Sequence, residues 1–234
     1  GEGSFAPTSE PRELGASELP GIVQDYRLAA RHALTTAGFD GVEIHGANGY
    51  LLDQFLKTGA NRRTDDYGGT IENRARLLLE VVRAVVDEVG GGRTGLRISP
   101  VTPANDIVDK DPQPLFDYVM RQLAPLGLAY IHVIEGATGG PRHIEDRPFD
   151  YRALRKTYEA AGGKAAWMVN NGYDKATAEH ALAQGADLVA FGKLYIANPD
   201  LVERLRRAAP LNEPDKTTFY GGGPRGYTDY PALA

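Results

Sequence analysis

Three side chains able to handle a carbonyl group, His45, Asn48 and Tyr50, fall within six residues of one another. They follow Gly41–Ile44, a stretch that reads as a buried strand. An imidazole and an amide can both donate to one oxygen, and two such donors stabilise the enolate-like charge that develops when a nucleophile adds to a conjugated carbon. A phenol has a reference pKa of about 10, so it carries a proton at neutral pH and can deliver it to an adjacent carbon. This set suits activation of a carbonyl conjugated to a double bond, with no metal and no covalent nucleophile.

The elements that position these groups form a repeating pattern. Apolar residues at helical spacing run from Ile22 to Ala37, with Gly38 as a stop signal. Short strands are expected near Gly41–Ile44, Gly95–Ile98, Tyr130–Ile134, Ala166–Val169 and Leu188–Phe191. Helices are expected between and after them, near Ile71–Val89, Pro114–Ala124, Tyr151–Ala160, Lys175–Gln184 and Pro199–Arg207. Strands that read as apolar throughout point to a parallel sheet covered on both faces. Strand–helix alternation at this spacing is that of βα units.

An open doubly wound sheet could also hold five such units, but no G-x-G-x-x-G fingerprint follows any strand. Polar and glycine residues sit just past the strand ends instead, at His45, Ser99, Glu135, Asn171 and Gly192. A (β/α)8 TIM barrel keeps its chemistry there. The expected fold is therefore α/β, with residues 21–234 supplying about strands 4–8 of a barrel. Residues 1–20 read as the end of an excursion that caps it.

Composition narrows the function classes. Of 234 residues, 42% are hydrophobic and 24% charged, as in an ordinary globular protein. The net charge of -5 argues against nucleic acid or an anionic membrane as main partner. No apolar run approaches the roughly 20 residues of a membrane span. Cysteine is absent, which excludes disulfides, thiolate zinc sites and cysteine-held iron–sulfur clusters within these residues. No metal site is expected, and a cytoplasmic setting is.

The run His45-Gly46-Ala47-Asn48-Gly49-Tyr50-Leu51-Leu52-Asp53-Gln54-Phe55-Leu56 is followed by Asn61-Arg62-Arg63-Thr64-Asp65-Asp66-Tyr67-Gly68-Gly69 and Glu72-Asn73-Arg74. Together with Leu96–Pro100, Asn171–Asp174, Phe191–Lys193, Ile196–Leu201 and the ending Phe219–Gly223 with Gly226–Pro231, it resembles the old yellow enzyme family of flavin-dependent ene-reductases. The ending is similar to that of the bacterial, N-ethylmaleimide reductase-like subgroup. The resemblance covers nearly the whole chain.

The resemblance implies NAD(P)H-dependent, FMN-mediated reduction of activated C=C bonds in enones, enals, maleimides or nitroalkenes. His45 and Asn48 would hold the substrate carbonyl, and also the amide of NADPH or NADH. Tyr50 would be the proton donor. Arg97 would lie against the flavin near N1 and O2; its alternative is an interior ion pair. Asn171, Gly172, Gly192 and Lys193 would bind the FMN phosphate, where backbone N–H groups at loop-to-helix junctions form an anion site. Arginine is usual in place of Lys193, and glycine often stands in place of Asn171. A lysine offers a point charge rather than a bidentate fork, so weaker phosphate retention is expected. Tyr220 would line the substrate pocket, or else serve as a packing aromatic. Glu135 would meet a neighbouring residue or the flavin's sugar chain.

The charged run from Asn61 to Arg74 reads as structural, with Arg62, Arg63, Asp65 and Asp66 able to form an ion-pair network. The family has three further βα units ahead of this part, which also supply flavin contacts. A complementary N-terminal polypeptide carrying strands 1–3, or further sequence, is therefore the expected partner. The alternative is a non-catalytic barrel fragment that cannot hold FMN alone. The family's larger iron–sulfur relatives fit less well, for want of cysteine.

Overall fold

The computed structural model describes residues 9, 11–220 and 222–233. Five strands form one parallel sheet in the order β1-β2-β3-β4-β5. They are β1 (Val42–Gly46), β2 (Thr94–Ile98), β3 (Tyr130–Ile134), β4 (Ala166–Asn170) and β5 (Leu188–Ala190). Helix α1 (Leu19–Thr35) leads into β1, and α2 (Leu51–Leu56) and α3 (Ile71–Val89) follow it. Then come α4 (Pro112–Leu123) after β2, α5 (Tyr151–Ala160) after β3 and α6 (Lys175–Ala183) after β4. Two short helices, α7 (Lys193–Ala197) and α8 (Leu201–Arg207), follow β5. Sequential parallel neighbours joined through helices make this a partial (β/α)8 barrel arrangement, as the sequence pattern predicts.

Physical details shift the expected boundaries. Helices α1 and α4 begin earlier than their apolar spacing suggests, because Pro20 and Pro112 sit in the first turn, where a missing N–H costs nothing. Helices α2 and α7 have too few residues to show a periodic stripe, and the sequence pattern does not reveal them. The capping residues Thr70, Asp150 and Asp174 accept from the backbone N–H groups of Asn73, Ala153 and Thr177, which sets the starts of α3, α5 and α6.

The strands alternate, rather than being apolar throughout. Ile44, Leu96, Ile98, Ile131, Val133, Trp167 and Val169 belong to one buried cluster with Leu77, Leu78, Val81, Val82 of α3 and Leu115, Val119, Met120 of α4. Successive strand residues point to opposite faces. The other face therefore carries Glu43, His45, Arg97, Tyr130, His132 and Asn170, with Met168 the apolar exception, a set that one register aligns from strand to strand. Apolar residues build the sheet–helix layer, and polar residues face what would be the barrel interior.

The charged run behaves as a brace. Asn61 donates to the carbonyls of Phe55 and Tyr67 at 2.6 and 2.7 Å. Arg63 pairs with Asp65 and Glu13 and donates to the Leu14 carbonyl at 2.6 Å. Arg74 pairs with Asp109 at 2.6 Å, with both side chains buried. Of the expected four-residue network, Arg63–Asp65 forms; Arg76 takes the Asp66 carbonyl.

Candidate functional site

His45 is the penultimate residue of β1, and the strand ends where Gly46 passes close to Leu78 and Leu96. A Cβ on Gly46 would lie 3.0 Å from Leu78 Cδ1. The chain then turns through Asn48 and Gly49, both left-handed, at φ 56° and 73°. A side chain on Gly49 would strike the Ala104 carbonyl at 2.5 Å, so only glycine fits. Tyr50 follows as the N-cap of α2, and its ring lies 5.4 Å from the His45 ring, centroid to centroid. The reversal brings Tyr50 back to His45, five residues before it in the chain. Tyr50 remains 59% exposed, within reach of a ligand.

Asn48 is held firmly. Its N–H donates to Ser99 Oγ at 2.8 Å, and its carbonyl accepts from Asn105 Nδ2 at 3.3 Å. Its side-chain oxygen accepts from the Thr138 hydroxyl at 2.7 Å. Asn48 Nδ2 has no hydrogen-bond partner among the described residues, which leaves it free to donate.

Arg97 stands opposite His45 in the β1–β2 register. Burial pulls the His45 imidazole below its ordinary range, and the Arg97 cation pulls it further, against the raising influence of Glu43 and Asp53. The ring is thus biased toward its neutral form. Arg97 Nη2 donates to Asn170 Oδ1 at 3.2 Å, while its Nε is buried without a partner. Burial lowers the guanidinium's pKa, with Glu43 working the other way.

Glu43 also pairs with His132 Nδ1 at 2.7 Å. The carboxylate sits below its usual range: burial raises it, but the His132 and Arg97 interactions outweigh burial. Neither Glu43 nor His132 stood out in the sequence. Each occupies an every-other position of an interior strand, a pattern visible once strand and face are known.

The expected phosphate-binding residues lie past the ends of β4 and β5. Asn171 has φ 121°, and its amide is fully used within the loop after β3. It donates to the Glu135 and Ala137 carbonyls at 2.7 and 2.8 Å and accepts from Gly139 N–H at 3.0 Å. Its side chain shapes a loop, so only its backbone is left for an anion. Gly172 (φ 64°) and Gly192 have open space where a Cβ would stand, and Lys193 opens α7. Glu135 meets a neighbour: the Tyr173 hydroxyl donates to it, and Arg142 lies over the Tyr173 ring at 4.2 Å. Tyr220 is not gathered in with the others; its ring is 99% exposed, and its N–H donates to Tyr227 Oη at 2.8 Å.

These residues fit an anionic, planar cofactor. Arg97 offers a buried, unfilled donor on the polar face of the sheet, and glycines leave the backbone after β4 and β5 open to approach. Among the described residues no cluster of His, Asp or Glu could hold a metal ion. No helix among them is long and apolar enough to cross a membrane.

A sheet of this topology with donors grouped at its C-terminal edge places the site where (β/α)8 barrels keep their chemistry. Residues 3–212 match the model of the NADH:flavin oxidoreductase / NADH oxidase family, and the chain belongs to that family. Putative 12-oxophytodienoate reductase 10 of Oryza sativa subsp. japonica is 49% identical over 240 residues, covering 98% of this chain and 72% of the relative. Putative 12-oxophytodienoate reductase 5 of the same plant is 47% identical, covering 99% and 61%. Among solved structures, morphinone reductase in complex with tetrahydroNAD superposes with a TM-score of 0.87 at 46% identity, over 99% of this chain and 60% of that one. The old yellow enzyme homologue from Zymomonas mobilis gives 0.90 at 41% identity, over 97% and 63%. The chain thus spans about three fifths of the length of most of these relatives.

Proposed function

We propose that this chain carries the chemistry-bearing part of an NAD(P)H-dependent, FMN-containing ene-reductase acting on enones, enals, maleimides or nitroalkenes. One observation carries the reading: the His45 and Tyr50 rings lie 5.4 Å apart at the end of β1, Arg97 stands opposite His45 in register, and Asn48 in the same turn keeps its Nδ2 unpartnered among the described residues, in a chain of this family.

His45 and Asn48 hold the substrate oxygen and stabilise the negative charge that grows on it. Neutral His45 gives that oxygen an N–H without a mobile proton of its own. The same two donors hold the amide of the nicotinamide. Tyr50 gives its proton to the α-carbon. The chemistry that bound FMN would supply is hydride transfer from NADPH or NADH to the β-carbon. Arg97 sets a fixed cation against the flavin's anionic edge. The backbone at Asn171, Gly172 and Gly192, with Lys193, takes the phosphate. Tyr220 enters only as an exposed ring free to stack on substrate. A cytoplasmic setting is proposed with it.

A companion reading concerns completeness. The outer edges of β1 and β5 pair with no strand among the described residues. Open parallel edges and a polar inner face favour completion by three further βα units, carried on a complementary N-terminal polypeptide or on further sequence of the same protein. Without it the chain is a non-catalytic fragment.

Native mass spectrometry with an absorbance spectrum tests both. A yellow complex of this chain with a second polypeptide, oxidising NADPH faster when cyclohexenone is added, is the expected result. A colourless 25.3 kDa species, or multiples of it, would leave the fragment reading standing. A yellow complex indifferent to cyclohexenone would overturn the ene-reductase reading.

A further inference from the structure

Lys57 and Asp53 are both wholly buried, one turn apart, and belong to no step described above. Lys57 Nζ lies 2.8 Å from Asp53 Oδ2 and donates to the Ser99 carbonyl at 2.8 Å. The same Asp53 oxygen accepts from Gly49 N–H at 2.9 Å. Ser99 accepts, through its hydroxyl, the N–H of Asn48. Gln54 donates to the Gly49 carbonyl at 2.8 Å. The backbone groups of Asn48 and Gly49 thus end on Asp53, Gln54, Ser99 and Asn105, and Lys57 ties Asp53 to Ser99.

An ion pair taken wholly out of water returns little stability compared with apolar residues of the same volume. Leu52, Phe55 and Leu56 already anchor α2 in the core, so an apolar pair would serve packing as well. What an apolar pair could not do is hold Gly49 N–H and the end of β2 on one hub. We propose that Lys57 and Asp53 are a positioning pair that sets the Asn48–Gly49 turn, and through it the placement of Asn48 Nδ2 and Tyr50 against His45. This rests on the reading of His45, Asn48 and Tyr50 as the substrate-binding group. The pair touches no substrate, and its role is to hold the residues that do. Preorganisation of this kind matters because misplacement by about 1 Å can cost on the order of a hundredfold in rate.

The test is Lys57→Met in the FMN-bound enzyme, read by phenol titration, by enone turnover and by a crystal structure. Phenols place an oxyanion where the carbonyl oxygen would lie. The expected result is full FMN content, at least about tenfold weaker phenol binding, a lower kcat with cyclohexenone and a displaced Asn48–Gly49 turn. A lower melting temperature with unchanged phenol affinity and an unmoved turn would overturn the proposal and leave the pair purely structural. Should Lys57→Met not fold, Asp53→Asn removes the charge that pairs with Lys57 and weakens the acceptor of Gly49 N–H at almost no volume cost. Unchanged phenol affinity there would overturn the proposal equally. His45→Ala serves as the control on the underlying reading. If it also leaves phenol affinity unchanged, the binding assignment fails, and the position of the turn in the Lys57→Met crystal structure still decides the role of the pair.

Discussion

The Thr138 hydroxyl donates to Asn48 Oδ1 across 2.7 Å, from a loop ninety residues further along the chain. Thr102 Oγ1 donates to the Gly136 carbonyl at 2.6 Å and lies 3.4 Å from the Thr138 hydroxyl, a longer contact than the one to Asn48. The shorter contact orients the amide, with its oxygen turned to Thr138 and its NH2 group left over. Thr138→Val keeps the shape and removes the donor. A net hydrogen bond of about 1 kcal/mol corresponds to roughly fivefold weaker phenol binding, with FMN content unchanged. Titration of the phenol complex by absorbance measures it, and unaltered affinity would remove Thr138 from the site.

Tyr50 is exposed and lies against His45, as a proton donor to a bound ligand must. Tyr50→Phe should leave reduction of the enzyme by NADPH intact and slow reoxidation by cyclohexenone about 10²–10⁴-fold. Stopped-flow measurement of the two half-reactions separates them. Equal rates in both would end the proton-donor assignment.

The lowered pKa of His45 has burial as its first cause and Arg97 as its second. Arg97→Met removes the second, so the imidazole midpoint followed by NMR should move up toward about 6.5, the ordinary value. The linkage has a definite sign. A folded-state pKa below the unfolded one means that the unfolded chain binds the proton first. This contribution to stability is present above about pH 6.5 and is lost as pH falls through the folded value. Denaturant melts between pH 7 and 5 should show a smaller loss in Arg97→Met than in the parent, as far as His45 is responsible.

Gly95 is a strand glycine whose missing side chain is filled by a neighbour. A Cβ there would meet the Tyr130 ring at 2.3 Å. Gly95→Ala displaces the ring, and overpacking of this kind costs about 1–3 kcal/mol. The Tyr130 phenol is pushed up to about 12, by burial first and Glu43 next. Displacing the ring should therefore bring its titration, read by ultraviolet absorbance, back toward about 10.

Much of this molecule is local, and local features are legible in order. The βα alternation, the five strands and the ends of α3 and α5 follow from apolar spacing, capping residues and turn glycines, all set by near neighbours in the chain. His45, Asn48 and Tyr50 were legible as a group because a single turn joins them. Arg97 stood out because an arginine in an interior strand needs an anionic partner. The long-range partners were not legible. Nothing near Asn48 in the chain announces Thr138 or Ser99, and Glu43 acquires His132 only through β-sheet register. The Asp53–Lys57 spacing left a trace, charges one helical turn apart in an apolar run, but its meaning depends on complete burial. Tyr220 was expected at the pocket and stands exposed, and the Asn171 amide was turned to loop-building. Side-chain chemistry and local periodicity are properties of the chain itself. Which polar atom meets which, and which donor is left over, is decided only when strands and loops distant in sequence are packed together, because a hydrogen bond exists only between atoms brought within about 3 Å.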